Sequence, residues 1–216
     1  MLMEWYEDEV RHLEATIRDR PPPPSSVAFY GSSSIRLWHT LAADFPGQNV
    51  VNLGFGGSTL AACAHFFHRL VPPVRPRAVV LYAGDNDLGD GRPPEDVLAS
   101  FKSVAAQLRS ALPGARLVFL AIKPSPARWH LQAAIERTNR LIAAEVANLA
   151  NARYVDLHNP MLGADGRPQA GLYADDGLHL SPAGYRAWAD IIGRERWVFS
   201  GLSPNLPHFH SDIGQG

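Results

Sequence analysis

The sequence is poor in cysteine: Cys63 is the only one among 216 residues. A single cysteine excludes an internal disulfide and any cysteine-rich metal centre. Cys63 stands between Ala62 and Ala64 in a stretch of small residues, which is typical of buried packing rather than of a reactive thiol. Neither a disulfide framework nor thiol chemistry is therefore expected to explain what the chain does.

An excess of charge is also missing, because 20 basic residues face 21 acidic ones and the formal net charge is −1. Such a balance gives no general attraction to nucleic acid or anionic lipid. No apolar run approaches the roughly 20 residues that cross a bilayer. The first nine residues include four acidic ones and lack the basic start and apolar core of a signal peptide. We expect a cytoplasmic protein with a small-molecule partner and no nucleic-acid or membrane partner; the oligomeric state stays open, a homo-oligomer included.

Five short apolar runs alternate with segments of helical periodicity. The runs are continuous rather than alternating, which is typical of strands covered on both faces. They are Val27–Tyr30, Val50–Leu53, Ala78–Ala83, Leu117–Ile122 and Arg153–Leu157. Helical patterns cover about 2–19, 35–44, 58–70, 94–112, 126–149 and 181–198. The alternation predicts an α/β fold, a three-layer α/β/α sandwich with a parallel, flavodoxin-like sheet of about five strands.

The two ends of the chain are interpreted separately. One helical face in the first segment carries Leu2, Trp5, Val10, Leu13 and Ile17. Four prolines, residues 21–24, end this helix and make a stiff link to the first strand. We expect residues 1–25 to pack on one domain that spans residues 26–200, with residues 201–216 as a tail.

Ligands of a parallel sheet bind beyond the carboxyl ends of its strands, so the strand ends are the places to search. The first strand ends at Gly31 and is followed by the three serines 32–34, after which a helical pattern begins. Serines at such a turn are usually helix caps. The same position also suits a nucleophile, because free backbone N–H groups and the helix dipole favour a developing negative charge.

The next two strand ends carry glycines and an asparagine. Residues 52–59, Asn-Leu-Gly-Phe-Gly-Gly-Ser-Thr, let the backbone approach a ligand closely, although a tight turn is the alternative. A phosphate loop is disfavoured because its lysine-containing pattern is missing. In residues 83–87, Ala-Gly-Asp-Asn-Asp, the asparagine is a neutral donor suited to an oxyanion. Asp85 and Asp87 without further clear ligands are more often caps or solvated turn residues, so no metal is expected.

An aspartate and a histidine stand near the C-terminus. Ser181 followed by Pro182 predicts a helix start, which places His179 on the preceding loop. Asp176 precedes His179 by three residues, and on a short turn this spacing brings the carboxylate to one imidazole nitrogen while the other faces a serine. Alone, the pair would more often be surface residues. Together with the serine, glycine and asparagine turns at the ends of three strands, the pair favours nucleophilic catalysis.

Together, these four segments resemble the SGNH hydrolases, also called the GDSL esterase and lipase family, over roughly residues 26–198. The resemblance implies a nucleophile in Gly31-Ser32-Ser33, an oxyanion glycine in residues 52–57, an oxyanion asparagine in Gly84-Asp85-Asn86-Asp87, and an acid and base in Asp176-Gly-Leu-His179. The implied site residues are the triad Ser33, His179 and Asp176 and the oxyanion donors Ser33, Gly57 and Asn86.

One departure from the family pattern is Ser32, which stands where the family has aspartate. Because that aspartate is not a triad member, we expect activity to survive with altered hydrogen bonding in the loop. Ser32 and Ser34 remain the less favoured nucleophiles, and Asp175 is the alternative to Asp176.

The resemblance implies a serine esterase that needs no cofactor and hydrolyses short acyl esters, acetyl esters above all, of small or carbohydrate alcohols. Lysophospholipid or thioester hydrolysis is the alternative, and a non-catalytic binding module is a further one. Trp38 and Trp129 are candidate pocket walls, although both also suit the core. His208 and His210 raise the idea of a metal site in the tail, but a packed or flexible tail is favoured over it.

Overall fold

In the computed structural model, which describes residues 3–200, five parallel strands form one sheet in the order β2-β1-β3-β4-β5. This is the flavodoxin-like order, so the predicted fold class is confirmed. The strands are β1 (Val27–Gly31), β2 (Val50–Gly54), β3 (Ala78–Tyr82), β4 (Arg116–Leu120) and β5 (Ala152–Val155). Gly31 pairs with Gly54 on one side and with Tyr82 on the other, so the first three strands end at one level.

Helices connect the strands and cover both faces of the sheet. They are α1 (Glu7–Asp19), α2 (Ser33–Arg36), α3 (Leu41–Asp44), α4 (Leu60–Leu70), α5 (Asp85–Gly89), α6 (Pro94–Ala111), α7 (Gln132–Val146), α8 (Pro182–Arg194) and α9 (Arg196–Phe199). Short 3₁₀ turns lie at Met3–Tyr6, Pro72–Val74, Trp129–Leu131, Asn159–Met161 and Ala170–Leu172. None of the helices in residues 3–200 is long and apolar enough to span a bilayer.

The core has two halves, one on each face of the sheet. Strands β1, β3 and β4 are buried along their whole length, because helices cover both of their faces. Successive residues point to opposite sides: Tyr30 lies among α1, α4, α6 and α7, whereas Phe29 lies among α2, α3 and α8. Burial of each large apolar side chain contributes roughly 1.5–3 kcal/mol. The edge strands β2 and β5 are partly exposed.

The first helix packs through the predicted face at Val10, Leu13 and Ile17, but Tyr6 takes the place of Trp5. Trp5 is 77% exposed, whereas Tyr6 is 2% exposed and joins Val10 and Ile17 in the core. The cause is the 3₁₀ turn at residues 3–6, which has three residues per turn and shifts the phase before α1 begins. Leu2 and the tail, with His208 and His210, lie outside the described residues.

Three predicted helices are interrupted. The segment predicted at 35–44 forms two short helices, α2 and α3, because the chain turns at Trp38 and places its ring in the core. The segment predicted at 126–149 begins with a 3₁₀ turn, and the segment predicted at 181–198 is divided between α8 and α9. Residues 85–89, interpreted from the sequence as a turn, form the one-turn helix α5.

Candidate active site

The turn from β1 into α2 depends on glycine. Gly31 has φ of +144°, and a Cβ there would lie 1.9 Å from the carbonyl oxygen of Tyr82 on the neighbouring strand. The Ser32 N–H donates to this same Tyr82 oxygen over 2.9 Å. Helix α2 then begins at Ser33, and the Ser32 side chain does not cap it. The turn therefore sets Ser33 at the carboxyl edge of the sheet, where the strand-end rule predicts a ligand site.

Ser33, His179 and Asp176 form a continuous chain of contacts. The Ser33 Oγ lies 3.0 Å from the Nε2 of His179, although 146 residues separate the two in sequence. The Nδ1 of His179 lies 2.5 Å from the Oδ2 of Asp176. Asp175, the alternative acid, is exposed and makes no such contact with the histidine among the described hydrogen bonds. The geometry thus brings together the three side chains that the family resemblance implies.

The Asp176 carboxylate is held by its own turn. Its Oδ1 accepts the backbone N–H groups of Leu178 and His179, each over 2.9 Å. The side-chain hydrogen bond with His179 and these two backbone donors lower the pKa of Asp176 to about 2. A carboxylate that stays ionised makes Nδ1 of His179 the protonated nitrogen, which leaves Nε2 to accept the Ser33 proton.

The end of β2, where the glycine loop begins, packs tightly against the last residues of α2. A Cβ on Gly54 would lie 2.3 Å from the backbone nitrogen of Arg36. Asn52 fixes the approach, since its Nδ2 donates to the Ile35 oxygen over 2.6 Å and its Oδ1 accepts the Gly54 N–H. Gly57 follows with φ of +67°, a left-handed conformation that favours glycine. The loop therefore lies directly beside the helix that carries Ser33.

Asn86 lies in the first turn of α5, after β3. Its Nδ2 donates to the backbone oxygen of Ser58 over 3.1 Å, and its Oδ1 accepts from Nη2 of Arg128 over 3.0 Å. The two contacts fix which end of the amide carries the nitrogen. A side-chain amide has two N–H groups, so one remains for a bound oxyanion after the bond to Ser58.

The two aspartates that flank Asn86 are buried and their pKa values are shifted in opposite directions. Burial alone would raise the pKa of Asp85, but Lys123 at 3.2 Å and Arg128 at 2.8 Å outweigh it and hold that pKa below its ordinary value. Burial raises the pKa of Asp87, although its Oδ2 accepts the Leu60 N–H over 2.8 Å. Asp85 thus pairs with two cations, whereas Asp87 binds the first turn of α4.

Lys123 and Arg128 are site residues that the sequence interpretation missed. Lys123 is 1% exposed, and the segment 123–128 leaves the end of β4. The Ala127 N–H donates to the Gly177 oxygen, which ties this segment to the loop that carries Asp176 and His179. The strand-end rule applied to β4 would have found the two cations, whereas only Trp129 was singled out there.

The two tryptophans proposed as pocket walls have different surroundings. Trp38 is 1% exposed, packs edge-on against core rings such as Phe29 and Trp188, and donates from its indole nitrogen to Asp44. We therefore assign Trp38 to the core. Trp129 lies half-buried, and its ring is covered by the guanidinium of Arg167 at 5.7 Å.

A groove of about 590 Å³ opens beside the catalytic histidine candidate. Most of its wall area is apolar, and His39, Asp44 and Arg186 are charged or titratable groups in its lining. The wall includes Leu37, Ala174, Asp176, His179, Leu180, Pro182 and Tyr185. Because Asp176 and His179 form part of the wall, the groove is a candidate substrate subsite.

Residues 3–200 bring no three histidine, cysteine, aspartate or glutamate side chains together as a metal-ligand set. Cys63 is fully buried, and burial raises its pKa above the ordinary value. A buried thiol with a raised pKa is a poor nucleophile, in keeping with its predicted packing role.

Comparisons with known proteins identify the family and the fold of the chain. The sequence model of the GDSL-like lipase/acylhydrolase family matches residues 24–187. Among curated proteins, none matches the sequence.

Solved structures with the same fold include enzymes named for ester hydrolysis. A GDSL-like lipase from Bacteroides thetaiotaomicron VPI-5482 has a TM-score of 0.73 at 20% identity, over 86% of this chain and 95% of that one. A carbohydrate esterase family 3 protein from Talaromyces cellulolyticus has a TM-score of 0.62 at 19% identity, over 80% and 97% of the two chains. An acetyl esterase variant with an acetate ion has the same TM-score, identity and coverage of the two chains.

Identities this low show the fold alone, whereas the family match spans most of the chain. The match covers the turn that carries Ser33, the glycine loop, Asn86 and the loop with Asp176 and His179. The chain therefore belongs to the GDSL-like lipase/acylhydrolase family, a family of carboxylic ester hydrolases.

Proposed function

We propose that this protein is a serine esterase that removes short acyl groups, above all acetyl, from small soluble or carbohydrate esters. The observation that carries the proposal is the continuous hydrogen-bonded chain from Asp176 through His179 to Ser33, with separations of 2.5 Å and 3.0 Å. Such an arrangement is what activation of a serine hydroxyl requires.

The reaction proceeds through an acyl-enzyme. His179 Nε2 takes the Ser33 proton while Oγ attacks the ester carbonyl carbon. His179 then protonates the departing alcohol oxygen, and the acyl group stays on Ser33. Water, deprotonated by the same nitrogen, attacks the acyl carbon and releases the carboxylic acid. Asp176 keeps its charge throughout and stabilises the imidazolium that forms in each half-reaction.

The tetrahedral oxyanion is held by three donors in our proposal. They are the backbone N–H groups of Ser33 and Gly57 and the side-chain amide of Asn86. These residues follow the ends of β1, β2 and β3, which are adjacent strands ending at one level. Donors built into turns are aligned before the reaction begins, so the protein does not have to reorganise as negative charge develops.

The acetyl preference rests on likeness to other proteins. One structural relative is named as an acetyl esterase and another as a carbohydrate esterase. Both share only the fold with this chain at 19% identity, which is why the substrate class is a proposal.

The apolar wall of the groove beside His179 favours a second candidate, an acyl hydrolase of lysophospholipid or thioester type. A groove of about 590 Å³ has room for an acyl chain longer than acetyl. Burial of each added methylene contributes about 0.8 kcal/mol, so kcat/KM would rise steadily with the length of the acyl chain.

The decisive experiment for catalysis is labelling with a fluorophosphonate, which reacts with activated serines, followed by peptide mass mapping. We expect one adduct per chain on Ser33, lost in Ser33→Ala and in His179→Ala. Ser32→Ala and Ser34→Ala are matched controls from the same turn and should keep the adduct. A folded protein without any serine adduct would contradict the esterase proposal and favour a non-catalytic binding module.

The substrate class is tested with p-nitrophenyl esters of increasing acyl length and with acetylated sugars. The acetyl proposal predicts the highest kcat/KM at two carbons and a fall beyond about four. A kcat/KM that instead rises steadily with chain length would support the second candidate. Lysophospholipids and acyl thioesters would then be compared directly.

A further inference from the structure

Helix α1 touches the glycine loop of the candidate oxyanion site. The family match begins at residue 24, so α1 precedes the matched residues. Tyr6, which directly precedes α1, and Glu9 in its first turn nevertheless bond to the backbone of Gly57 and Gly56.

The Tyr6 side chain contacts the glycine loop through its hydroxyl. Its side chain is buried, with the ring set edge-on against Phe55 at 5.5 Å and against Phe66 at 6.2 Å. The hydroxyl donates to the carbonyl oxygen of Gly57 over 3.2 Å. Packed rings hold the hydroxyl in place, so the contact does not depend on a mobile side chain.

Glu9 approaches the same loop one turn later. Its Oε2 accepts the Gly56 N–H over 2.6 Å. A Cβ on Gly56 would lie 2.9 Å from the Oε1 of Glu9, so a side chain there would displace the carboxylate. The carboxylate also lies 3.7 Å from Nε of Arg36, in the helix that begins at Ser33. Glu9 thus links α1 both to the glycine loop and to the nucleophile helix.

The two bonds flank one peptide unit. Glu9 holds the N–H of Gly56, and Tyr6 holds the C=O of Gly57. Between them lies the peptide that contains the Gly57 N–H, the donor assigned above to the oxyanion. Two successive glycines restrict this peptide little by themselves, because glycine has the widest range of backbone angles. The hydrogen bonds from Tyr6 and Glu9 therefore set the orientation of this peptide.

Helix α1 is also held against α4, away from the glycine loop. Arg69 of α4 forms a two-pronged contact with Glu14, at 2.7 Å and 2.8 Å, and a further contact with Glu7 at 2.8 Å. The Val10 and Ile17 side chains of α1 are buried in the core. Arg69 therefore holds α1 against α4, whereas Tyr6 and Glu9 contact the glycine loop.

We propose that Tyr6 and Glu9 are positioning residues that hold the Gly57 N–H in place for the oxyanion, and that α1 is in this sense part of the active site. The proposal rests on the esterase function proposed above. Catalytic donors need placement within roughly 0.5 Å, and a supporting layer of contacts normally provides it. In this chain the supporting layer comes from the N-terminal segment, which precedes the residues of the family match.

The test compares Tyr6→Phe and Glu9→Leu with Glu9→Gln and Glu14→Gln. Tyr6→Phe keeps the ring and removes only the hydroxyl, so folding is preserved. Glu9→Gln keeps an acceptor oxygen of the same reach, whereas Glu9→Leu removes it. Glu14→Gln is the matched control, because it weakens an anchor of the same helix without contact to the loop. Steady-state kinetics with an activated ester, fluorophosphonate labelling rates and thermal unfolding are measured for each.

We expect Tyr6→Phe and Glu9→Leu each to lower kcat and the labelling rate by about 3- to 30-fold, since complete loss of one oxyanion donor costs about 10²–10³. KM should stay within about twofold, because the donor acts mainly in the transition state. Glu9→Gln should keep most of the rate, and Glu14→Gln should lower the unfolding temperature with kcat unchanged.

Wild-type kcat in folded Tyr6→Phe and Glu9→Leu would overturn the proposal. So would an equal loss in Glu14→Gln, because stability alone would then explain the effect. Failure of the esterase function is recognised separately: the wild-type protein would itself show neither ester hydrolysis nor a serine adduct. That result would overturn the role of Tyr6 and Glu9 together with the function.

Discussion

The guanidinium of Arg128 donates from Nη2 to the Oδ1 of Asn86 over 3.0 Å, and its Nη1 lies 2.8 Å from Asp85. Because an amide oxygen accepts and an amide nitrogen donates, the arginine determines which end of Asn86 carries the N–H groups. Lys123 on the other oxygen of Asp85 holds the carboxylate in place. The orientation of one proposed oxyanion donor thus depends on a buried ion cluster.

Arg128→Met should therefore lower kcat by roughly tenfold, a fraction of the 10²–10³ that loss of an oxyanion donor costs. In an Asn86→Ala background the same substitution should have almost no further effect, because the residue through which Arg128 acts is gone. Steady-state kinetics on the four proteins of this cycle provide the measurement. Multiplicative losses in the double variant would show that Arg128 acts independently of Asn86.

Asp176→Asn should abolish most of the activity and leave the turn intact. The amide oxygen can still accept the N–H groups of Leu178 and His179, while its nitrogen faces Nδ1 and forces that nitrogen to be an acceptor. Nε2 then carries the proton and cannot take one from Ser33, for a loss of about 10⁴ in kcat. Asp175→Asn is the matched control from the neighbouring position. Equal losses in both variants, in proteins of wild-type unfolding temperature, would refute the assignment of the acid.

The pKa shifts of Asp85 and Asp87 predict opposite effects of pH on stability. The pKa of Asp87 is raised on folding, so its contribution to stability is largest in acid and is lost as pH rises through the folded pKa. The pKa of Asp85 is lowered, so its contribution is fully present above about pH 4 and is lost as pH falls through the folded pKa.

Urea unfolding of Asp87→Asn and Asp85→Asn at several pH values measures both effects. Relative to wild type, Asp87→Asn should gain stability as pH rises from about 4, where the unfolded carboxyl titrates. Asp85→Asn should lose about 3–5 kcal/mol near neutrality, because Lys123 and Arg128 are left without their carboxylate, and the loss should shrink below about pH 4. Parallel pH profiles for the two variants would contradict the opposite shifts.

Two glycines, one at the end of β2 and one in the loop that follows, should differ in the stability that substitution by alanine costs. Gly57→Ala costs about 1–2 kcal/mol of stability, because φ is +67° but the new Cβ meets no atom within 4 Å. Gly54→Ala should cost more than about 3 kcal/mol, since its Cβ would press on the backbone of Arg36. Chemical denaturation of both variants decides the order. A larger cost for Gly57→Ala would mean that the loop and α2 are not in close contact.

The sequence by itself determined the fold class and the residues that come together. Continuous apolar runs need cover on both faces, and this alone predicts a parallel sheet with helices around it. Turn residues at the ends of adjacent strands meet at one edge, which predicts a ligand site there. The family resemblance then implied Ser33, Gly57 and Asn86 as the residues of that site. The spacing of Asp176 and His179 is local, so it too was readable from the chain.

Only the tertiary structure decided how this edge is supported. The sequence contains no signal that Tyr6 and Glu9 reach a loop some 50 residues away, because their hydrogen bonds depend on how α1 lies against α4. A change of phase in the first turn, which local propensity does not reveal, exposed Trp5 and buried Tyr6. Lys123 and Arg128 likewise acquire their partners only when the ends of β3 and β4 lie side by side. Strand and helix patterns are set by neighbours in the chain, whereas these contacts arise from packing between distant segments.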